Sequence, residues 1–264
     1  MGEVVHQNIA HMYDLLYDDN FFYIVSEVSN FGDLSKFLLA QYKSDKANLD
    51  EISVQYIAKQ LFSALDYLHT KNIAHRDVKL ENIMITRKSG ERIRIGLIDF
   101  GCASPFDPKA PFRQQLGSRH YIAPEIVTGS PYGLKADIWS ATIAVYVLLT
   151  MTLPAFGKDL GVYKEQIENN ELDFLLETAF DHRRFRHLSK EGIEWLKQGL
   201  RIDPTKRASA KLMLNHPWLH RTTLHPPQPI QCQSLSQTAI LVRAGRKAGD
   251  HDVEKLMTLL FQLD

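Results

Sequence analysis

Two polar blocks constrain this chain more than anything else in it. Residues 75–82 read His-Arg-Asp-Val-Lys-Leu-Glu-Asn, and Asp99-Phe100-Gly101 follows beyond two apolar runs, Ile83-Met84-Ile85 and residues 93–98. Upstream, Ile57, Leu61, Ala64, Leu65 and Leu68 recur at three- and four-residue spacing. That is one apolar stripe of a long helix, with Asn48 or Asp50 as its N-cap. The first block is therefore a loop leaving an amphipathic helix. The two apolar runs read as short strands joined by the polar turn Lys88-Ser89-Gly90. Such a hairpin sets Asp77 and Asn82 on one side of a cleft and Asp99 on the other. Two carboxylates and an amide there are groups that handle protons and hard cations.

The same reading extends along the chain. Residues 21–28 are aromatic and β-branched, which predicts a strand, and Ile9 to Tyr17 is its antiparallel partner across the turn Asp18-Asp19-Asn20. Residues 102–125 are irregular and hold Pro105, Pro108, Pro111 and Pro124. From Lys135 onward the chain reads mostly helical. Residues 138–151 are apolar all round, as in a helix buried on every side. Ile193, Leu196 and Leu200 mark another helix, with Ser189 as its cap. After Trp218 the composition turns polar, and His225-Pro226-Pro227-Gln228-Pro229 marks a linker.

Composition narrows the classes of function. The formal net charge is zero, so no overall field draws nucleic acid or an anionic membrane. Cys102 and Cys232 show no metal or redox spacing, which points to a reducing, cytoplasmic setting. No charged leader precedes an apolar stretch, and His6 breaks the myristoylation pattern that Gly2 invites. The longest uncharged stretch, 138–157, is interrupted by Ser140, Thr142, Thr150, Thr152 and Pro154, and reads as core rather than a membrane span.

Taken in order, His75–Asn82, Asp99–Gly101 and Ala123-Pro124-Glu125 resemble the catalytic loop, metal-binding loop and activation-segment end of eukaryotic protein kinases. The resemblance covers about residues 6–220. It implies an α+β, protein-kinase-like fold: a residual part of the small β lobe over residues 1–28, a mainly helical large lobe over 29–220, and a tail over 221–264. It implies ATP and Mg²⁺ as cofactors and serine or threonine on proteins as acceptors. Asp77 would take the acceptor's proton, Lys79 would offset phosphoryl charge, and Asn82 and Asp99 would ligate the metal. Lys79 also fits the serine/threonine class. For the nucleotide, the resemblance assigns backbone groups of Glu27 and Val28 to the adenine edge, Asp33 to the ribose and Met84 to the adenine floor. Glu81 joins that set, and Asp33 with Glu81 could also hold a basic residue upstream of the acceptor.

Further residues take structural roles by the same resemblance. His75 and Phe100 form the lower part of a hydrophobic column, with Met12 above. Glu125 pairs with Arg207, and Asp137 anchors the catalytic loop. Thr142 stands where the family commonly has glycine, and reads as packing. Arg76 is the usual receiver of an activation-loop phosphate, yet Ser104 is the sole hydroxyl between Asp99 and Ser118, a position matching support of Asp77 and Lys79. Weak dependence on loop phosphorylation is expected. Cys102 reads as a small packed residue before a reactive one.

Two features sit outside the pattern. No lysine or arginine precedes Lys36, and no Gly-x-Gly-x-x-Gly occurs in the sequence. A shortened gene model or alternative start explains this, and the alternative is a catalytically dead scaffold or regulatory fragment. Either way, the first strands are expected to carry an uncovered edge and apolar face. Leu153-Pro154-Ala155-Phe156 and His216-Pro217-Trp218-Leu219 resemble the calcium/calmodulin-dependent kinase group. In the tail, Val253, Leu256, Met257, Leu260 and Leu263 form an amphipathic stripe, with Arg243, Arg246 and Lys247 upstream. Docking of that stripe onto the lobe or a partner is expected ahead of calmodulin binding. No EF-hand pattern is present.

Overall fold

The longest helix and the most deeply buried one build the centre of the molecule. In the computed structural model, residues 4–18, 21–27, 31–43, 49–89, 92–154, 156, 159–180, 185, 187–220 and 241–246 are described. The chain enters through β1 (Met12–Tyr17) and β2 (Phe21–Ser26), an antiparallel pair. Asp18 closes their turn: its amide donates to the Phe21 carbonyl at 3.0 Å, and its Oδ1 accepts from the Phe21 amide at 2.8 Å. Helix α1 (Leu34–Lys43) follows, and then α2 (Glu51–Thr70). Asp50 is the N-cap of α2, accepting from the Ser53 amide at 2.8 Å. The other candidate cap, Asn48, lies outside the described residues.

Beyond α2 come β3 (Ile73–Ala74), β4 (Ile83–Ser89), β5 (Arg92–Leu97) and β6 (Ser104–Pro105). β3 pairs with β6 and β4 with β5, both antiparallel. The β4–β5 ladder runs farther than its sequence suggests. Lys88 pairs with Ile93 and Ser89 with Arg92, so two of the three residues expected in the turn are strand. The ladder's hydrogen bonds outweigh the weak strand preference of those polar residues. The edge of β5 is finished partly by side chain. Gln60 on α2 donates to the Ile93 carbonyl at 3.0 Å and accepts from the Ile95 amide at 3.1 Å. Farther along, the Leu97 amide donates to the Asn8 carbonyl, and the Ala10 amide donates to that of Leu97.

The rest is helical: α3 (Pro124–Val127), α4 (Lys135–Thr150), α5 (Leu160–Glu168), α6 (Leu172–Phe180), α7 (Lys190–Gly199) and α8 (Ala210–Leu214). Fourteen of the residues of α4 are buried, as its all-round apolar sequence requires. It packs against α2, whose Val54, Ile57, Leu61, Leu65 and Leu68 are buried. Each such side chain stabilises the fold by about 1.5–3 kcal/mol relative to exposure. Trp139, Trp195 and Trp218 are fully enclosed. Glu51, opening α2, accepts from Ser189 Oγ at 2.6 Å and Trp218 Nε1 at 2.7 Å, which ties three distant segments together. Among the described residues no helix is long and apolar enough to cross a membrane.

Thr142 and Gly199 explain each other. Thr142 is fully buried on α4, and its hydroxyl donates to the Ile138 carbonyl at 2.7 Å. A Cβ on Gly199, at the end of α7, would collide with Thr142 Oγ1 and approach its Cβ to 2.9 Å. The branched side chain on α4 fits because α7 carries none at this point. Gly199→Ala is therefore expected to cost about 1–3 kcal/mol by overpacking. In a Thr142→Gly background the same change should cost much less, which a double-mutant cycle in urea measures. Equal costs in both backgrounds would refute the packing account.

One more strand closes the description. β7 (Leu241–Arg246) pairs antiparallel with β2, so the small sheet has the order β1-β2-β7. The edge expected to be uncovered is thus occupied, by a segment with little strand character of its own. The apolar face does remain open: Tyr13 is 61% and Leu16 52% exposed. The amphipathic stripe from Val253 to Leu263, and Lys247, lie outside the described residues.

Candidate active site

The loop after α2 is held by one buried acid. Asp137, in the first turn of α4, accepts from the His75 amide at 2.9 Å, the Arg76 amide at 2.8 Å and His69 Nε2 at 2.9 Å. Burial pushes its carboxyl up, but the His69 hydrogen bond and the nearby imidazoles outweigh that and hold it below the ordinary range. Arg76 has φ of 63°, a left-handed conformation that costs an ordinary residue free energy. The paired amide hydrogen bonds to Asp137 offset that cost. They turn the chain so that Asp77 follows with its side chain at the surface of the lobe.

Asp77 then sits in a closed set of polar partners. Its Oδ2 accepts from Lys79 Nζ at 2.6 Å and Asn82 Nδ2 at 3.1 Å, and its Oδ1 accepts from Ser118 Oγ at 2.8 Å. Lys79 Nζ also donates to Ser118 Oγ at 2.7 Å. Half-burial would raise the Asp77 carboxyl, yet the hydrogen bonds from Lys79 and Ser118 and the Lys79 charge pull it below its ordinary value. The group is a carboxylate throughout the neutral range. Ser118 thus joins the activation segment to the catalytic loop.

Asn82 and Asp99, the residues expected to hold metal, flank the open end of the β4–β5 hairpin. Asn82 is buried, and its Nδ2 also donates to the Asp77 carbonyl at 2.9 Å. That orientation leaves Oδ1 as the oxygen that could ligate a cation. The Ile98 amide donates to the Asn82 carbonyl at 2.9 Å, which fixes the Asp99 loop against the Asn82 turn. Asp99 has φ of 64° and accepts from the Gly101 amide at 3.4 Å, so it sits in a left-handed kink at the start of a single 3₁₀ turn, Phe100–Cys102. A carboxylate and an amide oxygen are the hard donors that Mg²⁺ takes when phosphates supply the remaining ligands. Among the described residues no group of three or more His, Cys, Asp and Glu side chains forms a metal cage by itself.

His75 and Phe100 meet edge to face, with ring centroids 4.9 Å apart. His75 is fully buried, which lowers its pKa, and its Nε2 contacts the Ile98 carbonyl at 3.0 Å. Arg76 is already engaged: Nε donates to the Cys102 carbonyl at 2.5 Å, and its guanidinium lies 4.6 Å from the centre of the Phe112 ring. Burial raises the Cys102 thiol, and the Asp77 and Asp99 charges push the same way. It stays a protonated, half-buried side chain, as a packed residue would.

The residues expected around the nucleotide are arranged as follows. The Glu27 amide donates to the His11 carbonyl at 2.8 Å, and its carboxylate accepts from the His11 amide at 3.3 Å. Val28 lies outside the described residues. Asp33 begins α1, where Oδ1 accepts from the Lys36 amide at 2.9 Å and from Ser35 Oγ, and Oδ2 pairs with Lys36 Nζ at 3.0 Å. Half-burial raises its carboxyl, and these contacts prevail and lower it. Met84 is buried and bridges to Asp33 across a short antiparallel contact, reinforced where the Ile85 amide donates to the Gly32 carbonyl. Glu81 is exposed, and its charge adds to the burial that raises the Tyr121 hydroxyl pKa.

Glu125 and Arg207 form the expected pair, buried and bidentate at 2.7 and 2.8 Å. Sequence reasoning missed His69 as the third partner of Asp137. It lies one residue before the end of α2, where a histidine usually faces solvent. It also missed Gln60, because a glutamine within an apolar stripe carries no sign that its amide will complete a strand edge.

A family model for the protein kinase domain matches residues 1–219. Calcium-dependent protein kinase 4 of Plasmodium falciparum (isolate 3D7) is 30% identical over 238 residues, which is 90% of this chain and 43% of that protein. Its counterpart in Plasmodium berghei (strain Anka) is 32% identical over 230 residues, 87% of this chain and 41% of that protein. Calcium-dependent protein kinase 3 of the same organism is 28% identical over 282 aligned positions, 100% of this chain and 48% of that protein. The chain thus spans less than half the length of these curated relatives.

Proposed function

The chain belongs to the protein kinase family, and from that premise we propose that it transfers the γ-phosphoryl group of ATP to serine and threonine hydroxyls of protein substrates. The observation that carries this reading is the closed set Asp77, Lys79, Asn82 and Ser118, joined at 2.6–3.1 Å. In the transfer, the acceptor oxygen bonds to the γ-phosphorus, and the bond from that phosphorus to the β–γ bridging oxygen breaks. The acceptor's proton passes to the Asp77 carboxylate, which is already ionised and aimed by Ser118. Lys79 offsets the charge that gathers on the phosphoryl oxygens. Asn82 Oδ1 and the Asp99 carboxylate would hold Mg²⁺, which when bound neutralises phosphate charge. Glu27, Asp33 and Met84 would line the adenosine side.

Asp33 and exposed Glu81 favour a basic residue upstream of the acceptor. Arg76 is held by Cys102 and Phe112, which supports weak dependence of the loop on phosphorylation. The relatives' names speak of calcium dependence. Calcium control of this chain is the counterpart of that dependence, and calmodulin on the tail is one partner that would supply it.

The test is transfer of radiolabelled phosphate from Mg·ATP to peptides carrying an upstream arginine and a Ser, Thr or Tyr acceptor. Labelling of Ser and Thr but not Tyr is expected, unchanged by phosphatase pretreatment of the protein, and reduced at least about 10²-fold by Asp99→Asn. Equal labelling by the wild type and Asp99→Asn proteins would sink the assignment.

A further inference from the structure

We propose that Phe112 is a positioning residue: its ring holds the Arg76 guanidinium where a loop phosphate would otherwise sit, and so sets Ser118 against Asp77. This role rests on the transfer activity proposed above. Arg76 is buried, and a buried charge is costly unless its surroundings answer it. The answers here are neutral. Nη1 donates to Gln114 Oε1 at 3.4 Å, and Nε donates to the Cys102 carbonyl. Burial raises the Tyr132 hydroxyl pKa, while the Arg76 charge and a hydrogen bond from it pull the other way, so that partner is a neutral phenol as well. All the guanidinium donors lie in the plane of the group, which leaves its face unserved. The Phe112 ring covers that face, with its centre 4.6 Å from the guanidinium carbon, inside the range of cation–π attraction. An aliphatic side chain would exclude water there and offer none of the ring's negative face.

Phe112 is itself held from behind. Its amide donates to the Tyr132 carbonyl and the Tyr132 amide to its own carbonyl, both at 2.9 Å. Its ring leans on those of Tyr132 and Phe106, at centroid distances of 5.4 and 5.6 Å. Gly133 makes the room, since a Cβ there would come within 2.6 Å of the Phe106 ring. The Tyr132 hydroxyl donates to the Gln114 carbonyl at 2.8 Å, which fastens the stretch after Phe112 to the same support. Three residues on, Gly117 lays the segment onto the catalytic loop. Its φ is 118°, and a Cβ on it would lie 3.3 Å from the Arg76 carbonyl oxygen. Ser118 follows and donates to Asp77 Oδ1 at 2.8 Å. Residues 112–118 therefore grip Arg76 at both ends, the ring at its guanidinium and Gly117 at its carbonyl. Asp77 is the next residue in the chain.

Kinetics and hydrogen exchange on the full chain test this role. Phe112→Leu keeps an apolar side chain and removes the ring face. It should lower kcat on a serine peptide by about tenfold, the scale of one desolvated cation–π contact, and leave KM for ATP within about twofold. Phe112→Tyr keeps a ring and should retain the wild-type rate. A Phe112→Leu kcat within about threefold of the wild type overturns the positioning role. In an Arg76→Met background the same change should cost less than about threefold, because the cation it serves is gone. An undiminished loss there overturns action through Arg76. The Tyr121 amide, which donates to the Ser118 carbonyl at 2.8 Å, gives a reading independent of activity. It should exchange faster in Phe112→Leu than in the wild type or Phe112→Tyr, with the amides within α4 unchanged. Absence of transfer by the wild type refutes the proposed function, and the exchange pattern then decides by itself whether Phe112 orders the segment. Unaltered exchange at Tyr121 overturns the proposal whether or not the protein transfers phosphate.

Discussion

Replacing Asp77 by asparagine is expected to lower phosphoryl transfer by about 10²–10⁴-fold, the range typical for loss of a general base. The two side chains have nearly the same shape, so the positions of Lys79, Asn82 and Ser118 should change little. What disappears is the charge and the ability to take a proton. Ser118 Oγ donates to Asp77 Oδ1 at 2.8 Å while accepting from Lys79. An asparagine amide turned toward Ser118 offers a donor where an acceptor is needed. Turned the other way, it offers that donor to the Lys79 ammonium. The first orientation loses the Ser118 hydrogen bond, and the second loses those from both Lys79 and Asn82.

The pH behaviour follows from the same contacts. The Asp77 carboxyl is depressed below its ordinary value of 3.8, so the carboxylate is fully formed at pH 6 and above. Its contribution to stability is complete above that ordinary value and is lost as pH falls through the lower native value. The wild-type rate should therefore show no acidic limb from Asp77 between pH 6 and 8. Steady-state rates of both proteins across that range, with a thermal melt of each as a folding control, check the expectation. A variant within a factor of three of the wild type, with an unchanged melt, would remove Asp77 from the chemistry.

The parts of this site legible in the sequence are those whose chemistry demands specific residue types at short spacing. Asp77, Lys79 and Asn82 lie within six positions, and the structure closes them around one another. Ser118 is forty-one residues from Asp77 and was still identifiable, because a hydroxyl there matches a known pattern. What stayed hidden was decided by geometry between distant segments. Leu-Val-Arg-Ala-Gly-Arg has Ala and Gly in the middle and little preference for a strand, and it becomes β7 because β2 offers an open ladder. Lys88 and Ser89 look like a turn, and the neighbouring pairs of the β4–β5 hairpin draw them into strand. The fit of Thr142 against Gly199 depends on two helices whose approach no local periodicity encodes.

Removing the Arg207 side of its buried ion pair is expected to be among the most damaging single changes to the large lobe. All five guanidinium N–H groups have acceptors. Nε donates to the Arg201 carbonyl, the two terminal nitrogens donate to Glu125 at 2.7 and 2.8 Å, and their remaining hydrogens reach the carbonyls of Lys135 and Ile202. The Trp139 ring lies 5.2 Å from the guanidinium carbon. Lysine cannot replace this fork, having three donors on one atom. Arg207→Met leaves the Glu125 carboxylate buried without its countercharge, at a cost of about 3–5 kcal/mol. Glu125→Leu strands the guanidinium in the same way. The double variant Arg207→Met/Glu125→Leu removes both charges and should be less destabilised than the sum of the singles. The recovery should be incomplete, because the carbonyls of Arg201, Lys135 and Ile202 lose a donor, at about 1–3 kcal/mol for each one left unsatisfied. Urea denaturation of the four proteins measures the coupling. If the two single costs simply add, the two side chains are not coupled and the account of the ion pair fails.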